Sequence, residues 1–368
     1  MKKIFFFSAG FLIYCTGCKE RYFPPVESLQ NQLLVVEADL APNGPTTIRL
    51  TRTTKLNTPA IQPENNAVVS VEGKDNTVRP LIFNGSGNYF SSNLNLIINN
   101  EYRLRIKTVS GKEYLSDYVK AISNPPLDSI SWERKSDGVQ IYVNTNDPSN
   151  ALKYFRWDYA ETWEIRSDFG PDLIFKNDII RNRVFPAEDV SVCWKNSPST
   201  RILLANSEQL QSGIISQIPI VFIPAFDEKL FFRYSIIAKQ YALDKAAYNY
   251  FEILKKNTED IVSFFGPQPA EIKGNIHSIS QPNELVIGFV TASGVTEKRI
   301  FITKSQVLPW PDNNICDFFT SPRDSVKYYS ENGGNMLVTF LGSRYLFSTL
   351  FCVDCTSRGG INIKPSFW

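Results

Sequence analysis

The clearest secondary-structure pattern in this 368-residue chain is the stretch Phe155-Arg156-Trp157-Asp158-Tyr159-Ala160-Glu161-Thr162-Trp163-Glu164-Ile165. Odd-numbered positions carry large aromatic and aliphatic side chains and one glutamate, and even-numbered positions carry polar or small residues. A period of two is that of a β-strand, in which successive side chains point to opposite faces. The alternation therefore predicts one long strand with an aromatic face.

The rings of Trp157, Tyr159 and Trp163 on that face have two interpretations. An exposed row of rings can stack against sugars, whereas large aromatic side chains more often dominate a hydrophobic core. We favour the core and keep the three residues as a candidate ligand platform. Glu161 on the same face needs a partner or an edge position, because burying an unpaired carboxylate is costly. It is either a structural acid or a site residue.

Shorter strand patterns precede this stretch. Between Leu33 and Tyr114, alternating segments are separated by turns such as Asn84-Gly85-Ser86-Gly87-Asn88, and no helical pattern intervenes. They predict an N-terminal immunoglobulin-like or transthyretin-like β-sandwich over residues 32–124. The composition, with 26 Phe, 16 Tyr and 6 Trp, also favours a mainly β protein.

Residues 125–368 are predicted to form a larger fibronectin-III-like β-sandwich domain. Its one convincing helix pattern lies at about 244–257, where Asp244 supplies an N-cap. We expect a hairpin from Leu285 to Ile302 that turns at Ser293-Gly294. The residues from Cys316 onwards are expected to form a disulfide-tied C-terminal cap.

The beginning of the chain predicts an exported lipoprotein. Lys2 and Lys3 precede the apolar run from Ile4 to Tyr14, which is too short to span a bilayer as a permanent helix. Small residues then precede Cys18, as in a lipoprotein signal peptide. We therefore expect Cys18 to be lipidated after cleavage; an ordinary secretory signal or an uncleaved anchor is the alternative.

This assignment divides the N-terminal region into a signal peptide over residues 1–17 and a polar tether over 18–31. Lys19-Glu20 resembles the short charged signals that send some lipoproteins to the outer face of the outer membrane. We expect a lipid-anchored outer-membrane protein exposed on the cell surface, with the periplasmic face as the alternative. The formal net charge of +2 becomes zero when Lys2 and Lys3 are removed, so neither nucleic acid nor a polybasic membrane contact is expected.

Four further cysteines, Cys193, Cys316, Cys352 and Cys355, are candidates for disulfides, because exported proteins meet oxidising conditions. Four cysteines allow three connectivities. Cys352 and Cys355 also have metal-ligand spacing, so a four-thiolate zinc site is the less favoured alternative.

Several of these segments resemble a Bacteroidota family of outer-membrane lipoproteins known as a domain of unknown function, DUF4249. The resemblance extends from about Leu33 to Trp368, and it implies disulfides between the cysteines and a role beside an outer-membrane receptor driven by TonB. It implies no catalytic or ligand residues. The segments that carry it are Cys193-Trp194-Lys195-Asn196, Tyr234 to Gln240, Gly274-Asn275-Ile276, Gly288-Phe289, Lys298-Arg299-Ile300, Cys352-Val353-Asp354-Cys355, Gly359-Gly360 and Pro365-Ser366-Phe367-Trp368.

Motifs for catalysis are missing from the sequence. His277 is the only histidine, and there is no nucleophile elbow, phosphate loop or dinucleotide fingerprint. Asp158 and Glu161 would face opposite sides of a strand and cannot converge as a carboxylate pair. We therefore expect no enzymatic activity, no cofactor and no metal.

These observations lead to two functional hypotheses. The first is a non-catalytic outer-membrane lipoprotein that acts as an accessory or binding subunit beside a TonB-dependent barrel receptor. The second is a surface lipoprotein that binds or processes glycans, and it depends on the aromatic row being exposed.

Overall fold

The computed structural model of the protein describes residues 32–54, 61–210, 213–259, 272–307, 310, 316–332 and 334–368. Residues 33–368 form one compact unit. Its secondary structure is mainly β, with a single helix longer than two turns among the described residues. No described helix combines the length and the apolar character that crossing a bilayer requires.

The first nine strands form most of one sheet, and their burial follows the alternation seen in the sequence. In β7, for example, Tyr102, Leu104 and Ile106 are buried, whereas the residues between them are partly exposed. The strands are β1 (Leu34–Leu40), β2 (Thr46–Arg52), β3 (Gln62–Pro63), β4 (Val68–Gly73), β5 (Val78–Phe83), β6 (Asn88–Ser91), β7 (Glu101–Lys107), β8 (Glu113–Ser116) and β9 (Val119–Lys120).

Most of the next nine strands build a second core, whereas the hairpin β13–β14 packs elsewhere. The predicted long strand is β12, which lies inside a sheet between β15 and β18 and shares a core with the separate sheet β10-β11-β17. The helix α1 follows β18 directly. The elements are β10 (Leu127–Arg134), β11 (Gly138–Asn146), β12 (Tyr154–Arg166), β13 (Leu173–Lys176), β14 (Ile179–Asn182), β15 (Val192–Pro198), β16 (Leu203–Asn206), β17 (Ile214–Pro224), β18 (Arg233–Leu243) and α1 (Lys245–Glu259).

The chain then returns to the first sheet. This return differs from the predicted domain boundary between residues 124 and 125. Strand β19 (Ile276–Ser278) pairs antiparallel with β8, and β20 (Val286–Ala292) pairs parallel with β1. Strand β21 (Val295–Thr303) belongs to the other sheet, where it pairs with β18. The predicted hairpin from Leu285 to Ile302 is therefore wrong: Ser293-Gly294 connects two sheets. Alternation and turn residues indicate strands, but they do not specify the partner of each strand.

The two ends of the first sheet meet at Asn275. The order of its strands runs from β19 through β8, β7, β4, β5, β6, β2 and β1 to β20. The side chain of Asn275, just before β19, donates to the carbonyl oxygen of Val290 at 3.0 Å and accepts from the Val290 N–H at 2.8 Å. The amide thus imitates a neighbouring strand and satisfies the backbone of β20.

Glycine is required on both sides of this junction. A Cβ atom on Gly274 would lie 1.7 Å from the carbonyl oxygen of Gly288, and one on Gly288, whose φ is +145°, would lie 2.2 Å from that of Val36. We expect Gly274→Ala to lower the free energy of unfolding by about 1–3 kcal/mol, because the backbone segments at Gly274 and Gly288 must move apart to admit the methyl group. Gly170→Ala, with no heavy atom near the added methyl group, is the control. Equal urea midpoints for the two variants would contradict this account.

The last part of the chain forms the predicted disulfide-tied cap. Here "cap" means the hairpin β13–β14 and residues 316–358; the hairpin packs against the same small core as β22, β23 and β24. The disulfides are Cys193–Cys355 and Cys316–Cys352. The remaining elements are α2 (Lys304–Val307), β22 (Phe318–Ser321), α3 (Val326–Glu331), β23 (Asn335–Leu341), β24 (Arg344–Thr349) and α4 (Leu350–Val353).

Candidate functional site

The aromatic row of β12 lies in the core. Trp157 and Trp163 are 1% and 8% exposed, and the ring of Tyr159 packs partly buried against the same core. The indole N–H of Trp157 donates to Gln240 at 2.9 Å, and that of Trp163 donates to Glu228 at 3.0 Å. The candidate ligand platform is therefore wrong, because these rings belong to a hydrophobic core shared with the sheet β10-β11-β17.

Glu161 lies on the same face of β12 and has its own partners. The ammonium group of Lys229 donates to both carboxylate oxygens, at 3.0 and 2.9 Å, and the Tyr234 hydroxyl donates at 2.8 Å. Burial and then the charge of Glu161 raise the pKa of Tyr234 well above its usual value, so the phenol remains a donor. Of the two possibilities for Glu161, the contacts favour a structural acid.

A second charged cluster lies on the opposite face of β12. The side chain of Arg156 is 8% exposed, and its Nη2 atom lies 2.6 Å from Asp39 Oδ2 and 3.5 Å from Asp158 Oδ2. Its guanidinium group lies over the rings of Tyr241 and Phe251, 4.4 and 4.6 Å from their centroids. One buried cation thus joins β1, β12, β18 and α1.

Burial and charge act in opposite directions on the groups of this cluster. Burial lowers the pKa of Arg156, but the charges of Asp39 and Asp158 outweigh it and raise that pKa above its ordinary value. Burial raises the pKa of Asp158, and Arg156 opposes that shift. Burial also raises the pKa of Tyr241 above its usual range. Since Arg156 Nε has no hydrogen-bond partner in the described part of the chain, the cluster is not fully satisfied.

An apolar cavity of about 280 Å³ lies beside this cluster, where the two sheets and α1 meet. Its walls come from β9, the end of β18, the first turn of α1 and β20. Thr291 belongs to both features, because it lines the cavity and its hydroxyl donates to Asp39 Oδ1 at 2.6 Å. Clefts between substructures with mainly apolar walls are the usual location of ligand sites.

The other candidate ligating residues do not assemble into a metal site. Asp168 lies near Cys316 and Cys352, but the two sulfur atoms are bonded to each other and offer no thiolate. All four cysteines proposed as the alternative zinc ligands are bonded in disulfides, so the zinc alternative is wrong. His277 is exposed on β19, with its Nε2 atom 3.1 Å from an Asp117 carboxylate oxygen.

The C-terminal tail covers the edge and outer face of the second sheet. Trp194 on β15 exchanges two backbone hydrogen bonds with Ile361, both of 2.9 Å. The guanidinium group of Arg233 lies 4.2 Å from the ring centroid of Phe301 and 5.1 Å from that of Trp368. The conspicuous segments at Cys193-Trp194 and at the tail are thus parts of one packing arrangement.

The sequence did not single out Arg156, Asp39 or Lys120. The placement of Arg156 and Asp158 on one face of β12 was readable from the alternation. Asp39, which binds Arg156, and Thr291, which binds Asp39, come from strands distant in sequence. The predicted lipidation site, Cys18, lies outside the described residues.

Fold and site together define a mainly β sandwich protein with a disulfide-tied cap. The family described as "Domain of unknown function (DUF4249)" matches residues 19–299, and the chain belongs to that family. A search of curated proteins found no match. Among solved structures, a two-domain fibronectin type-III segment of chicken tenascin is similar at 8% identity and a TM-score of 0.17, over 57% of this chain and 91% of the segment. We base no argument on so low a score.

Proposed function

We propose that the protein is a non-catalytic lipoprotein of the outer membrane that acts as an accessory or binding subunit beside a TonB-dependent barrel receptor. The signal pattern that ends at Cys18 supports the anchor and the location. The proposed receptor partner comes from the family resemblance, and the whole matched domain lies beyond the lipidation site.

The observation that carries the docking role is the apolar surface of the cap. Large exposed apolar side chains on a soluble surface mark interaction sites when they are grouped on one substructure. Two disulfides hold this substructure in place, so its surface is presented in a fixed form. The exposed large apolar residues of the cap are Ile179, Phe318, Tyr328, Phe340, Leu341, Leu350 and Phe351.

The charged clusters also favour a binding role over catalysis. Glu161 is held by Lys229 and Tyr234, and Arg156 is held between two carboxylates. Contacts of this kind are typical of groups that stabilise a scaffold. The glycan hypothesis has lost the observation that motivated it, because the aromatic row is buried.

The test is affinity purification of the tagged, full-length chain from detergent-solubilised outer membrane, with partners and the N-terminal acyl group identified by mass spectrometry. We expect lipid on Cys18 and a barrel receptor in equal amount. The double variant Phe340→Ser/Leu341→Ser, at an exposed hairpin tip, should recover at least tenfold less receptor.

The matched control is Val78→Ser/Ile82→Ser, which changes two exposed apolar residues on β5 of the first sheet. It should recover receptor as the parent chain does. A lipidated chain that is purified alone would overturn the accessory role, and equal losses in both double variants would overturn docking through the cap.

A further inference from the structure

The cavity between the two sheets has the features of a small-ligand site. Ala242 and Leu243 at the end of β18 and Ala247 in α1 form one wall, and Phe289 on β20 forms part of another. Eight of the eleven lining residues are aliphatic or aromatic. An apolar group placed against these walls gains van der Waals contacts and leaves water.

The volume limits the size of the ligand. A cavity of about 150 Å³ lined by apolar side chains accommodates benzene. At about 280 Å³, this cavity has room for roughly twice as many heavy atoms. A linear or branched chain of about six to ten carbons fits that space, and a larger sterol or glycan does not.

The three polar residues of the lining identify the charge of the ligand. The Thr291 hydroxyl already donates to Asp39. The Asp244 carboxylate accepts from the Ala247 N–H at 2.7 Å and so caps α1. Lys120 is exposed on β9, and its ammonium group makes no hydrogen bond or ion pair with any described residue. Lys120 is therefore the lining charge without a described partner, whereas the Asp244 carboxylate is engaged at the N-terminus of α1, where the helix dipole is complementary to it.

We propose that this cavity binds a short aliphatic carboxylate, with the chain between Ala247 and Phe289 and the carboxylate beside Lys120. Burial of the chain supplies most of the affinity, since each methylene group removed from water contributes favourably. The exposed ion pair contributes less and selects the sign of the charge. The inference depends neither on the lipid anchor nor on the proposed receptor.

Isothermal titration calorimetry of the folded chain with sodium octanoate, octylammonium chloride and sodium acetate tests the inference. We expect octanoate to bind with one-to-one stoichiometry, octylammonium to bind several-fold more weakly, and acetate to give no signal. Absence of octanoate binding at millimolar concentration, or equal affinity for the two octyl ions, would overturn it.

Two variants locate the site. Ala247→Leu fills the cavity and should reduce octanoate affinity more than tenfold, with a thermal melt as the check that the variant folds. Lys120→Gln is a surface change that leaves the core intact, and it should reduce affinity about two- to fivefold. Lys176→Gln on β13, far from the lining residues, should leave affinity unchanged. If Lys120→Gln behaves like Lys176→Gln, the proposed position of the carboxylate is wrong.

Discussion

Replacing Lys229 by methionine is expected to lower the free energy of unfolding by about 3–5 kcal/mol. The change leaves Glu161, whose side chain is 5% exposed, in the core without its cation. The hydroxyl of Tyr234 remains as one donor, but it carries no charge to balance the carboxylate. Removing one partner of a buried ion pair lowers the free energy of unfolding by far more than the pair contributes net. The reason is that the desolvation of the remaining ion is no longer compensated.

Lys195→Met is the matched control for that variant. Lys195 pairs with Glu228 at 2.7 Å, but the Glu228 side chain is 35% exposed and also accepts from Trp163. Loss of the Lys195–Glu228 pair should lower the free energy of unfolding by less than about 1 kcal/mol. Urea denaturation measures the free energy of unfolding of both variants, and the m-values should equal that of the parent chain. Adding Glu161→Gln to Lys229→Met should recover part of the loss, and equal costs for the two lysine variants would refute the buried-pair account.

Removing the disulfide between Cys193 and Cys355 by double alanine substitution should have a comparable effect. The two cysteines are 162 residues apart in sequence, and the loop-entropy relation gives about 5 kcal/mol for closing such a loop. The Cys316–Cys352 disulfide spans 36 residues, for which the same relation gives about 4 kcal/mol. Measured values for native disulfides are typically about 2–5 kcal/mol.

The two double variants should also differ in where they open. Cys193 lies on β15 of the second sheet, so its disulfide attaches the cap to the sandwich. Without it, limited proteolysis should cleave the cap while the sandwich stays intact. Without the Cys316–Cys352 bond, cleavage should concentrate near residue 316. Calorimetry measures the loss of stability, and mass spectrometry of the fragments identifies the cleavage sites. Identical cleavage patterns for the two double variants would contradict these separate roles.

The sequence predicted the parts of the fold that depend on local pattern. The strand β12 was clear because its alternation spans the whole strand, and α1 was clear because Asp244 begins an amphipathic segment. The core position of the aromatic row followed from the size of its rings.

Pairing between distant strands was not predictable in the same way. Nothing local in Val286–Ala292 distinguishes a strand that continues into a hairpin from one that crosses to β1. The contacts of Arg156 with Asp39, and of Asp39 with Thr291, need that crossing to exist first. Disulfide connectivity was open for the same reason, since spacing does not bring the half-cystines together.

The return of β19 and β20 to the first sheet makes completion of that sheet depend on the order of synthesis. Strands β1 and β8 leave the ribosome long before their partners at 276–292. Until then, each presents an open row of backbone donors and acceptors, which is a template for intermolecular pairing. A fragment that ends at residue 124 lacks these partners, and we expect it to aggregate.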